Sequence, residues 1–405
     1  MSLVSIKEAF TTLALCSSLL TFAVGGCRGT SSSFTIELEP TIISVSSEGE
    51  AIIYNTPAEL FIEANELLRQ GQHGEALSRY ELFIEVFPEF HYVRTATYNS
   101  GLCYEGLDDW VNAENTYRTV VERWPASTDA TDALFRWAEA RNQLGNYEGV
   151  VPLMERVLRR AQLNHFDRVE AHVRLASAVL ETRDYAQAEH HFREAVRLNS
   201  QAARQLRENT EPGDRPLEDF NPLMVQTFFG LGRSYHELFL SLKLVLPEDS
   251  IRQALVDKSQ LFEQARLAYM DAVRAGHNYW SPAAGYMIGQ IYEDFYLDIL
   301  ACEVPHHFNE LTLEIYFQEL RDYLDPLINR TLSIYEDNLS MSLRMRGDTI
   351  WIRETELGIE RIQHYLFDES FREEQELEIL QQRHPHGSQD VDRAWGGATP
   401  EEPQS

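Results

Sequence analysis

Residues 66–88 read ELLRQGQHGEALSRYELFIEVFP. A short glycine-bearing turn divides two runs, and the second run places a small residue, Ala76, four positions before an aromatic one, Tyr80. An interval of four puts both on one face of a helix. The arrangement returns in LCYEGLDDWVNAENTYRTVVERWP (102–125), ARNQLGNYEGVVPLMERVL (140–158) and VLETRDYAQAEHHFREAVRL (179–198). The small positions are Ala76, Ala113, Val150 and Ala188, at intervals of 37, 37 and 38. Their larger companions are Tyr80, Tyr117, Met154 and Phe192. Pro88 and Pro125 end the first two runs, since proline cannot continue a helix and forces its predecessor out of helical geometry. Self-similarity at a fixed interval marks a stack of identical supersecondary units.

These residues resemble the tetratricopeptide repeat (TPR), a helix-turn-helix unit with a small residue in each helix. Ala76, Ala113 and Ala188 match its second-helix alanine, and Ala64, Gly101, Ala138 and Ala176 match its first-helix small residue. Tyr104 stands three after Gly101, as the motif expects. Antiparallel helices approach closely where side chains are small, and aromatics from the facing helix fill the hollow. The resemblance implies an all-α fold, a right-handed TPR solenoid of antiparallel helix pairs, with extra C-terminal helices capping the array.

Two looser units follow. FFGLGRSYHELF carries Gly232 and Tyr235, and GYMIGQIYEDF carries Gly289 and Tyr292, 57 residues apart. The excess lies in residues 240–260, read as extended helices around Pro247, before a second helix with Ala265 and Tyr269. About six units are expected over 57–300, interrupted by a polar loop at 201–222 containing Pro212, Gly213 and Pro216. A helical cap is expected over 301–380, its first helix broken at Pro326, and a disordered tail over 381–405.

The N-terminus reads as a processing signal. Its apolar run, Ala9 to Val24, has 16 residues, short of the roughly 20 that span a bilayer core. Val24-Gly25-Gly26-Cys27 resembles the bacterial lipobox, which implies a leader over 1–26 and a lipidated Cys27. A Ser/Thr-rich tether over 27–56 would follow. Arg28 after the cysteine implies, by the same resemblance, an outer-membrane lipoprotein facing the periplasm. Acyl chains gain about 0.8 kcal/mol per buried methylene and hold a protein on a bilayer without a spanning helix.

The formal net charge of −29 argues against nucleic acid and against adhesion to anionic lipid by charge. Beyond Cys16 and Cys27, only Cys103 and Cys302 remain, and both read as buried small packing residues. No glycine-rich phosphate loop, HExxH, CxxC or GxSxG occurs. The adjacent pairs His190-His191 and His306-His307 point about 100° apart on a helix, and His384 and His386 lie in the tail. The expectation is a chain without catalytic residues, metal, cofactor, small-molecule substrate or nucleic-acid partner.

The opening PAELFIEANELLRQGQHGEALSRYELFIEVFPEF (57–90) further resembles the BamD (YfiO) family of outer-membrane lipoproteins, and the repeats are also similar to YbgF/CpoB-type envelope proteins. The resemblance implies a protein-binding subunit of an envelope assembly machine, its partners being other envelope proteins or their peptide segments. An assembly factor of a gliding, pilus or secretion apparatus is the alternative, and a co-regulator of peptidoglycan synthesis a further one. The TPR resemblance implies that the first helix of each unit lines the concave side, and carrying over its inward-facing positions gives a binding groove of Phe61, Asn65, Tyr98, Asn99, Leu102, Phe135, Arg136, Glu139, Val173 and Ser177. Phe229, Arg233, His236, Tyr286 and Gln290 extend it. Aromatics offer apolar stacking and amides bond both polarities of a peptide backbone.

Overall fold

The computed structural model describes residues 42–45, 52–209, 222–304 and 310–367. The expected leader, Cys27, His306, His307 and the tail with His384 and His386 lie outside the described residues. The chain divides into two compact units, residues 1–157 and 158–405.

In the first unit, part of the segment expected as a tether is a hairpin. Strand β1 (Ile42–Val45) pairs antiparallel with β2 (Ile52–Asn55), Ile42 opposite Asn55 and Val45 opposite Ile52. Isoleucine and valine runs on either side of a Ser/Gly-containing link favour this pairing. Six helices follow: α1 (Pro57–Arg69), α2 (His73–Val86), α3 (Val93–Gly106), α4 (Trp110–Arg123), α5 (Asp129–Gln143) and α6 (Tyr147–Leu158). A capping box starts α1: the Thr56 hydroxyl accepts from the Glu59 amide at 3.2 Å, and the Glu59 carboxylate accepts from the Thr56 amide at 3.0 Å. The turn after α1 needs a left-handed residue, supplied by Gly71 at φ +74°. At the equivalent turn after α3, Asp108 takes this conformation at φ 56°.

The second unit holds α7 (His165–Glu181), α8 (Tyr185–Asn209), α9 (Pro222–Ser241), α10 (Glu248–Arg274), α11 (Trp280–Leu300), α12 (Glu310–Met345) and α13 (Thr349–Phe367). Two expectations are corrected here, over 201–209 and at Pro326. Residues 201–209, assigned to a loop, extend α8, whose QAARQLREN sequence is rich in helix formers. The extended helices expected around Pro247 are present, 20 residues in α9 and 27 in α10, with Pro247 immediately before α10. Pro326 lies inside α12, which runs on for 36 residues. Proline costs one hydrogen bond and a clash with a preceding carbonyl. Burial on both sides of it, Leu324 and Ile328 at 2% exposure each, holds the helix together.

The packing follows the repeat. Ala76, Ala113 and Ala188 are fully enclosed, as are Tyr80, Tyr117 and Met154, and Val150 and Phe192 are buried beside them. A Cβ on Gly101 would lie 2.4 Å from the Tyr117 ring, one on Gly232 2.5 Å from Tyr269, and one on Gly289 2.3 Å from Tyr335. A side chain in any of those places requires the facing ring to shift. The closing helices use the same contact: the Tyr335 ring of α12 lies between Gly289 of α11 and Gly358 of α13. Each enclosed ring contributes roughly 1.5–3 kcal/mol of burial. Cys103 is a buried thiol whose pKa burial pushes up to about 12, whereas Cys302, also expected to be buried, is partly exposed. Among the described residues, no helix is long and apolar enough to cross a membrane.

Candidate protein-binding face

Three first helices share a register. α3 reads Gly101-x-x-Tyr104-Glu105, α9 reads Gly232-x-x-Tyr235-His236 and α11 reads Gly289-x-x-Tyr292-Glu293. Three residues before each glycine stands an aromatic: Tyr98, Phe229 and Tyr286. On a helix, positions −3, 0 and +4 share a face, and the facing tyrosine lies over it.

In the first unit Tyr117 covers Gly101 and donates its hydroxyl to Glu105 at 2.7 Å. Arg136 of α5 donates to the other oxygen of Glu105 at 3.1 Å and also bonds the Tyr98 hydroxyl. Tyr98 packs against Tyr117 with ring centroids 5.6 Å apart. Burial, then the Glu105 carboxylate, raises the Tyr117 phenol far above its usual range. One repeat earlier amides replace the charges. Tyr80 donates to Asn65 Oδ1 at 2.6 Å, and Asn99 Nδ2 reaches the same oxygen at 2.9 Å and the Tyr80 hydroxyl at 3.1 Å. Burial pushes the Tyr80 phenol up to about 12.

The second unit repeats the device. Tyr335 donates to Glu293 at 2.9 Å, and Arg361 of α13 clamps Glu293 through Nε at 2.6 Å and a terminal nitrogen at 2.9 Å. Tyr286 packs 5.8 Å from Tyr335 and bonds Arg361. In the α9–α11 version a histidine takes the carboxylate's place. Nδ1 of His236 lies 3.4 Å from the Tyr269 hydroxyl, and its Nε2 lies 2.8 Å from Asp294 of α11.

The expected groove residues separate into two groups. Val173 (0% exposed), His236 (3%), Phe135 (7%) and Phe229 (8%) are interior and offer a partner no useful surface, which corrects their assignment. The facing helices explain it: Phe229, for instance, is covered by Trp280 and Tyr269, at 5.0 and 5.8 Å. The others keep some surface: Phe61, Asn65, Tyr98, Asn99, Leu102, Glu139, Ser177, Arg233, Tyr286 and Gln290 are partly exposed, and Arg136 is exposed. Asn65, Tyr98, Asn99, Arg136 and Tyr286 nevertheless direct polar atoms into the networks above, and Arg233 pairs with Glu181 at 2.9 Å. Among the apolar residues, Phe61 packs against Tyr80 and Phe83, with centroids 6.1 and 5.7 Å away, and keeps part of its surface exposed. Phe61 stacks on Tyr92 with centroids 4.6 Å apart and planes 13° apart, beside Ile62, which is 65% exposed. Tyr92, Glu105, Glu293, Tyr335 and Arg361 were not expected to participate, although the acid directly after the motif tyrosine was there to be read in Glu105 and Glu293. Among the described residues, no group of three or more His, Cys, Asp or Glu is arranged to hold a metal.

A family model described as tetratricopeptide repeat matches residues 95–127, the α3–α4 pair and the turn after it. Outer membrane protein assembly factor BamD from Xylella fastidiosa (strain Temecula1 / ATCC 700964) is 30% identical over 103 residues, covering 21% of this chain. The chain spans about a third of that relative's length, 35%. Solved structures of similar fold include the C-terminal part of a TPR repeat-containing protein from Cytophaga hutchinsonii, 10% identical, with a TM-score of 0.40 over 77% of this chain and 98% of that one. MamA from Desulfovibrio magneticus RS-1 is 16% identical, with a TM-score of 0.34 over 52% and 97% of the two chains. YrrB, described as a TPR protein with an unusual peptide-binding site, is 15% identical, with a TM-score of 0.35 over 54% and 90%.

Proposed function

We propose that this tetratricopeptide-repeat protein, BamD-like over part of its length, is a non-catalytic scaffold held at the periplasmic face of the outer membrane by lipid on Cys27. There it docks a partner protein or peptide of an envelope assembly machine. The observation that carries the reading is the BamD similarity, and the lipobox-like Val24-Gly25-Gly26-Cys27 supports the anchor. Within the first unit, the docking surface is the apolar ledge of Phe61, Ile62 and Tyr92 together with Leu102. Aromatic rings at low entropic cost are the usual anchors of such contacts. The amides Asn65 and Asn99 serve to fix the ledge rather than to touch the partner.

The test expresses the full chain in a bacterial host with a labelled fatty acid. Membranes are then fractionated, and co-purifying proteins identified. Label on the wild type but not on Cys27→Ser, outer-membrane fractionation and enrichment of barrel-assembly subunits support the proposal. Absence of label, or enrichment that persists unchanged in a Phe61→Ala/Leu102→Ala variant, overturns the anchor or the surface respectively.

A further inference from the structure

His172 and His191 are separated by 19 residues and belong to different helices, α7 and α8. The fold brings Nδ1 of one to 3.2 Å from Nδ1 of the other, with ring centroids 5.4 Å apart and planes inclined by 34°. Two nitrogens bound to one tetrahedral zinc ion at 2.0–2.1 Å stand about 3.3 Å apart. The observed separation therefore differs from a ligand pair's by about a tenth of an ångström. We propose that His172 and His191 form a binding site for a divalent transition metal of the zinc or nickel class, clipping α7 to α8, with water completing the coordination.

The chemistry of the pair suits this role. Both side chains are partly buried at the α7–α8 contact, and a neutral imidazole is the form that ligates a metal. The close contact has one Nδ1 donating its proton to the other. On metal binding that ring moves its proton from Nδ1 to Nε2 through solvent, so both Nδ1 lone pairs face the ion without net proton release. Glu194 lies one turn beyond His191 on α8, and its charge reaches His172. It is itself paired with Arg197 at 2.8 Å, and the charge of Arg168, one turn before His172 on α7, acts on the position in the opposite sense. His190 stands apart, its ring packed edge-on against His191 at 5.1 Å. Imidazole nitrogens suit zinc and nickel and leave magnesium to oxygen ligands.

The experiment uses the full chain carrying His384→Gln and His386→Gln, so that the two tail histidines do not contribute. Thermal unfolding is followed with zinc chloride, nickel chloride or magnesium chloride, and zinc binding is measured by calorimetry. The expected result is a rise in Tm of about 2–4 °C with zinc or nickel and none with magnesium. The rise disappears in both His172→Gln and His191→Gln and survives in His190→Gln. Folding of each variant is verified by its metal-free circular dichroism. No rise in the parent chain, or a rise that persists in His172→Gln or depends on His190, overturns the proposal.

Discussion

Replacing Gly101 by alanine tests the contact on which the whole stack depends. Within a helix this substitution ordinarily stabilises, by roughly 0.5–1 kcal/mol. Here the new methyl would lie 2.4 and 2.6 Å from two atoms of the Tyr117 ring. That ring is fully enclosed and its hydroxyl is held by Glu105 at 2.7 Å, so it cannot retreat without breaking the bond. Overpacking costs about 1–3 kcal/mol, and the broken hydrogen bond about 1 more. The propensity gain offsets part of this, leaving a net loss of about 1–3 kcal/mol. Urea unfolding followed by far-ultraviolet circular dichroism measures it. Gly74→Ala is the control, because a Cβ there meets nothing within 4 Å. Shrinking the ring with Tyr117→Leu should relieve the clash, so the double variant should cost less than the sum of the singles by about 1 kcal/mol or more. If Gly101→Ala is as stable as the parent, small-against-aromatic packing is not what sets the helix spacing.

Further expectations follow from the buried charges. Arg361→Met should destabilise the second unit by about 2–4 kcal/mol, because Glu293, 4% exposed, loses its bidentate cation, and Arg361→Lys should restore only part of this; urea midpoints decide it. Lys258 is fully buried, bonding Asp298 and the Phe239 carbonyl. Lys258→Met frees a partly hydrated carboxylate and should cost less than Asp298→Ala, which strands the ammonium; equal losses would contradict this asymmetry. Burial raises both Tyr80 and Tyr235 to about 12. Between pH 10 and about 12 the unfolded chain releases protons that the folded chain keeps, so stability should fall as pH rises through that window. Tyr80→Phe should flatten the fall, and an unchanged slope would show that Tyr80 does not contribute.

The repeat was legible because its signal is local. Ala76 with Tyr80 and Ala113 with Tyr117 are four residues apart, and helix geometry alone puts each pair on one face. The contact between Gly289, Tyr335 and Gly358 was not, because α12 carries its tyrosine 46 residues beyond the first glycine, at an interval matching no earlier unit. Pro326 argued for a break, and only burial at Leu324 and Ile328, a tertiary effect, shows why the helix continues. The groove was partly misread for a related reason. Family positions say which face a residue occupies, but not that a neighbouring tyrosine and arginine will engage it, as happens to Tyr98, or that an indole will cover it, as happens to Phe229. His172 and His191 could not be paired from sequence, since nothing in their spacing specifies which turn of α7 meets which turn of α8.

Within each unit, bridges described above join a repeat to the first helix of the one after it: Tyr80 to Asn99 and Glu105 to Arg136 in the first, Glu293 to Arg361 in the second. Dissecting the chain at the apparent repeat boundaries would therefore cut through bonds rather than between them. A fragment ending at Pro125 would strand Glu105 beneath Tyr117, and one ending before α13 would leave Glu293 a buried anion with no guanidinium. Soluble fragments of either unit should carry one helix more than the periodicity suggests.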